Sequence, residues 1–188
     1  MPIWGSLMTE IRSLPASWLP ANALVVLCAL MPGISVAQED AWGIFRASCL
    51  VPMQEVQQVR TSGLEFVDII AAAGQSIESF APKGGGFFIN VLSEAGSGQT
   101  GCGLRFDPGS ARAVQDRFAA AFQDWAAEAV ARAVFALRDE PVAAGQALHP
   151  EIALRTDQTR EPVLFVTLWR NVATGGWSAS VRETDLES

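Results

Sequence analysis

The chain has 188 residues, 13 basic and 20 acidic side chains, a formal net charge of −7 and three cysteines. An acidic surface repels phosphates and anionic lipid heads, and the arginines are scattered, with Lys83 the only lysine, so the composition argues against nucleic-acid binding and against docking on an anionic membrane. The length suits one domain once a leader is set aside.

Residues 13–37 carry no charge, and their strongest apolar run, Ala23 to Met31, lies between Pro20 and Pro32. That run is shorter than the ~20 residues a membrane-crossing helix needs and fits the core of an export signal. Pro32 and Gly33 break the helix, and Ser35-Val36-Ala37 offers small residues to a signal peptidase, which predicts cleavage before Gln38. An uncleaved anchor is the alternative. The segment ahead of the run is long and holds only Glu10 and Arg12 as charges; a start at Met8 would shorten it. Leu27 stands before Cys28 where lipid attachment wants a small residue. The expected organisation is therefore a signal peptide at 1–37 and a single α+β domain at 38–188, periplasmic or secreted, with no membrane attachment after cleavage. The signal layout and the preference for arginine over lysine point to a bacterial source. The mature part keeps 12 basic and 19 acidic side chains, so its charge is still −7.

It also keeps two cysteines, Cys49 and Cys102, which an oxidising compartment pairs. The bridge closes a loop of roughly fifty residues and stabilises by ~4 kcal/mol on the chain-entropy model. The spacing is not that of a CxxC redox pair, and a single histidine leaves too few ligands for a Cys/His zinc site.

Along the mature chain, Trp42, Phe45 and Cys49 share a helical face over 39–51, with Pro52 as the stop. Ser62-Gly63-Leu64-Glu65 has capping-box spacing, and Phe66, Ile69, Ile70, Ala73, Ile77 and Phe80 recur at helical intervals, predicting a second helix up to Pro82. Phe87, Ile89 and Val91 then alternate with Phe88, Asn90 and Leu92 as in a strand. After a glycine-rich turn, Cys102, Leu104 and Phe106 form the returning strand. Asp107-Pro108 starts the longest helix, with Val114, Phe118, Ala121, Phe122, Trp125, Ala129 and Ala133 as its apolar stripe. Arg112 with Asp116 and Glu128 with Arg132 are i, i+4 pairs on its wet face. Three strands follow near 151–157, 162–172 and 177–184, with Gly175-Gly176 as a hairpin turn. The predicted fold is α+β in the order α-α-β-β-α-β-β-β, an antiparallel sheet of about five strands with helices on one face. No internal repeat is legible.

Gly96-Ser97-Gly98-Gln99-Thr100-Gly101 matches a GxGxxG string, but a strand follows it where a phosphate cradle needs a helix N-terminus, so it reads as a hairpin turn. His149 is the only histidine and would have to serve any Ser-His-Asp mechanism; it is read in a loop beside Pro150, with no GxSxG elbow elsewhere. The carboxylate pairs Asp139-Glu140 and Asp124 with Glu128 read as surface charge, and Glu183-Thr184-Asp185-Leu186-Glu187 lacks the pattern of a calcium loop. No metal and no cofactor are implied.

The strand from Val163 to Trp169 is apolar on both faces. Leu164, Val166 and Leu168 can meet the helices, which leaves Phe165 and Trp169 as a candidate binding surface for a protein or small-molecule ligand. The competing reading is a central strand covered on both sides by the first helices. The expected function is a non-enzymatic exported binding domain; the alternative is a small periplasmic hydrolase using His149.

Overall fold

The computed structural model describes residues 40–138, 147–156 and 163–184. The expected signal segment with Cys28, the pair Asp139-Glu140 and the acidic run from Asp185 onward lie outside these residues. The Asp40 side chain caps the first helical segment by accepting the Gly43 N–H at 3.1 Å. That segment comprises α1 (Ala41–Phe45), a π-helical turn (Arg46–Leu50) and α2 (Val51–Gln54). Pro52 was expected to end it, yet the helix runs on past the proline. In the π turn the Val51 N–H reaches back to the Arg46 carbonyl. Proline has no N–H for the Ser48 carbonyl four residues earlier, and the Arg60 N–H fills that place at 3.0 Å.

The predicted helix over 62–80 is a β-hairpin, β1 (Leu64–Ala72) with β2 (Gln75–Pro82). Ala72 faces Gln75, so the turn has only two residues, Ala73 and Gly74, and both have positive φ, 51° and 82°. This is the backbone of a type I′ turn, whose twist matches the flanking strands. The isoleucines and phenylalanines that read at helical spacing are also strong strand formers, and the turn decides between the two. Ser62 and Glu65 form no capping box: Gly63 has φ 84°, and the Leu64 N–H bonds the Thr61 carbonyl in a turn.

β3 (Phe87–Glu94) and β4 (Gly98–Phe106) complete a four-strand meander. Asp107 caps a turn rather than a helix, with its carboxylate accepting the Gly109 N–H, and α3 begins later, spanning Arg112–Ala131. A second meander follows, formed by β5 (Phe135–Leu137), β6 (Leu148–Thr156), β7 (Val163–Asn171) and β8 (Trp177–Thr184). The expected order and strand count are thus corrected to one eight-stranded, wholly antiparallel sheet in the order β1-β2-β3-β4-β8-β7-β6-β5. The three strands missed were the hairpin mistaken for a helix and the three-residue β5. Each half of the fold is a helical segment followed by a four-strand meander, and the halves join through their last strands, β4 and β8.

All the described helices lie on one face of the sheet. Phe45, Cys49 and Leu50 from the first segment and Val114, Phe118, Phe122 and Ala126 from α3 pack on Phe87, Ile89, Val91, Leu104, Val166, Leu168 and Val181 of the sheet. Trp42 joins the two helical segments, with ring centroids 5.7 Å from Phe122, 5.8 Å from Trp125 and 6.1 Å from Phe118. Cys49 and Cys102, both buried, form the expected disulfide with Cα atoms 5.4 Å apart, tying the first helix to β4. No described helix is long and apolar enough to cross a membrane.

Candidate functional site

Alternation along β7 sends Leu164, Val166 and Leu168 under the helices, where they are buried, and puts Phe165, Thr167 and Trp169 on the opposite face, Thr167 itself buried between the two half-buried rings. No described helix packs on that face, so the reading of a strand covered on both sides by the first helices is corrected: the first helical segment and α3 lie on the other side, and the expected second helix is the β1–β2 hairpin. Phe165 and Trp169 are half-buried and stand four residues apart along β7, roughly 13 Å. The Trp169 indole N–H donates to Ser180 Oγ at 3.0 Å, which fixes the ring against β8.

Phe165 faces Arg155 on β6 and Arg182 on β8 in the strand register, so a guanidinium-bearing chain flanks it on either side. A third, Arg138, sits with its Cζ 4.6 Å from the centre of the Phe165 ring, within cation–π range. Further along the same face, the Arg105 Cζ lies 5.2 Å from the centre of the Phe88 ring. Arg155 and Arg182 make no ion pair with any described residue. Of the described acidic residues on this face, Glu65 and Asp68 are on β1, four strand spacings from β8, or roughly 19 Å, and Glu94, which accepts a hydrogen bond from Gln75, is on β3, two spacings away. Among the described residues, basic side chains thus gather around Phe165 on one sheet face of a protein whose net charge is −7.

Between the aromatic groups the face is low because β4 contributes Gly101 and Gly103. A Cβ on Gly103 would stand 2.9 Å from the Ala179 carbonyl oxygen, so the close approach of β4 and β8 requires glycine there. At Gly101 the Arg182 stem crosses the backbone, its Cγ 3.2 Å from where a Cβ would be. Asn90 and Ser79, bonded to each other at 2.9 Å, continue the polar row toward β2. The surface is a shallow, open platform of aromatic rings and guanidinium groups. Such groups bind carboxylates or phosphates through paired N–H donors, and the rings add contact area.

The other sequence candidates are not brought together. His149 lies in β6 rather than in a loop; it is exposed, its cross-strand neighbour is Arg170, and no described serine, cysteine or carboxylate hydrogen-bonds it. Glu151 pairs with Arg170 at 3.7 Å. Asp124 is on the wet side of α3, and Glu128 is bound to Arg132 at 2.5 Å as its spacing predicted. Gly96 and Gly98 turn the chain between β3 and β4, and no helix follows them. Among the described residues no group of three or more His, Cys, Asp or Glu side chains could hold a metal ion.

Sequence reasoning missed the arginine cluster. Arg138, Arg155 and Arg182 come from three separate strand regions, and only the register across β6, β7 and β8 shows that they converge on Phe165. Comparison of the chain with protein-family models, curated proteins and solved structures finds no match.

Proposed function

We propose that this protein is an exported, non-enzymatic binding domain that takes an anionic ligand on the open face of its sheet, around Phe165. The observation that carries this reading is Phe165 flanked in register by Arg155 and Arg182, neither of which has an anionic partner among the described residues. Arg155 on β6 and Arg182 on β8 stand two strand spacings apart, roughly 10 Å, with Phe165 between them, so one carboxylate-bearing ligand laid over the ring can meet both guanidinium groups, and its binding stabilises the fold. The disulfide supports the export part of the reading, because such bridges persist in oxidising compartments. A platform open on one side suits an extended or flat ligand with carboxylate groups better than a small enclosed one.

The test is thermal unfolding with increasing citrate, a tricarboxylate probe, at constant ionic strength. The unmodified protein should melt at a higher temperature as citrate rises, and the double variant Arg155→Ser, Arg182→Ser should not. An equal rise in both proteins would place the effect elsewhere and overturn the assignment.

A further inference from the structure

The edge of the sheet formed by β1 poses a separate problem. Every residue from Glu65 to Ala72 is exposed, although the strand reads Glu-Phe-Val-Asp-Ile-Ile-Ala-Ala. Of the nine exposed large hydrophobic residues among the described ones, five are on this hairpin: Phe66 at 58 %, Val67 at 49 %, Ile69 at 50 %, Ile70 at 62 % and Ile77 at 39 %. The register puts apolar groups on both sides of the strand. Ile69 faces Glu78, which faces the buried Val91, so Ile69 is on the helix side; Ile70 faces Ile77 and Leu92 on the open side. A strand wet on one face should alternate, and β1 does not.

β1 is also the end strand, with β2 its only described neighbour, so its outer row of backbone N–H and C=O groups calls for another strand. The hairpin from Leu64 to Pro82 holds Glu65, Asp68 and Glu78 and no lysine or arginine, which makes an anionic membrane a poor occupant.

We infer that β1 is a homodimer interface, in which two copies pair β1 with β1 antiparallel about a two-fold axis at Ile70 and so double the sheet. In this register Ile70 meets its own counterpart, Ile69 of one copy meets Ala71 of the other, and Asp68 meets Ala72. Large groups oppose small ones, and the two Asp68 residues are four positions apart, roughly 13 Å, beyond the ~8 Å screening length of physiological salt. The exposed side chains of the hairpin offer on the order of 400–500 Å² of apolar surface per copy, which with the edge backbone approaches the ~600 Å² per partner at the lower end of specific interfaces. Asp68 Oδ1 accepts the Ile69 N–H at 2.7 Å, a donor that β2 therefore does not take. That bond and the bulge between Phe66 and Asp68 are the two features that oppose pairing.

The experiment is sedimentation equilibrium of the purified protein over a concentration series, with three variants. The unmodified chain should form a reversible dimer. Ile70→Lys should weaken it by about 100-fold, since it buries a charge without a partner, and Asp68→Ala should tighten it. Ile70→Cys should cross-link two chains on mild oxidation, because the axis brings the two thiols together. A protein that stays monomeric at every concentration overturns the proposal. So does a dimer that Ile70→Lys leaves intact, or an Ile70→Cys dimer that does not cross-link.

Discussion

The Arg60 N–H donates to the Ser48 carbonyl at 3.0 Å, and this one bond explains how a proline sits inside the first helical segment. The carbonyl that Pro52 cannot satisfy is claimed from outside the helix, and the π turn before it shifts the bonding partner of Val51 to Arg46. An interior proline ordinarily costs a helix ~3 kcal/mol. Here the accommodation is already built, so Pro52→Ala should change the unfolding free energy by less than about 1 kcal/mol. Urea denaturation measures this directly, and a gain near the full proline cost would mean the segment is strained by Pro52 after all.

The disulfide holds the same segment to the sheet. With a sequence separation of 53 between Cys49 and Cys102, the chain-entropy model assigns the bridge ~4 kcal/mol. Denaturation with and without a reductant, or with Cys49→Ser and Cys102→Ser together, should show a loss of about 3–4 kcal/mol. A loss below about 1 kcal/mol would show that the helix is anchored by its packing alone.

That packing turns on Trp42, which touches Phe45 and three aromatic residues of α3. Trp42→Ala removes the shared surface between the two helical segments and should cost about 3–4 kcal/mol. The near-ultraviolet circular dichroism of the aromatic cluster should weaken at the same time while the β-sheet signal persists.

Ala73 occupies a backbone conformation that alanine adopts at a penalty, φ 51° at the first central position of the β1–β2 turn. Ala73→Asn creates the Asn-Gly pair favoured in type I′ turns and should raise stability by about 0.5–1 kcal/mol. Ala73→Val should lower it, because a β-branched side chain resists positive φ. If both substitutions move stability the same way, the turn is not of this type.

Much of the architecture could be read from residue patterns, for particular reasons. β3, β4 and β8 alternate because one of their faces lies under the helices, as in Phe87, Ile89 and Val91. α3 shows its stripe for the same reason, with Val114, Phe118 and Phe122 inward. The β1–β2 hairpin was misread because its outer strand lacks that constraint: β1 is exposed on both sides and does not alternate, and the apolar residues of the hairpin fall at helical intervals. The pairing of β4 with β8 across seventy residues of chain is also invisible locally, since it depends on two meanders meeting through their last strands. The site divides in the same way. Phe165 and Trp169 stood out because a strand apolar on both faces is unusual, whereas the guanidinium groups around Phe165 are a product of register. His149 drew attention only for being the sole histidine, and its place in β6 beside Arg170 gives it no partner for catalysis among the described residues.

The most direct test of the central claim is nuclear magnetic resonance of the isotope-labelled protein during a citrate titration at fixed ionic strength. Binding on the open face predicts progressive shifts in the amides of Arg155, Phe165, Thr167, Ser180 and Arg182, with the helix-facing Val166 and Val181 and the distant β1 moving little. Shifts absent throughout, or centred on residues away from β6, β7 and β8, would contradict the account.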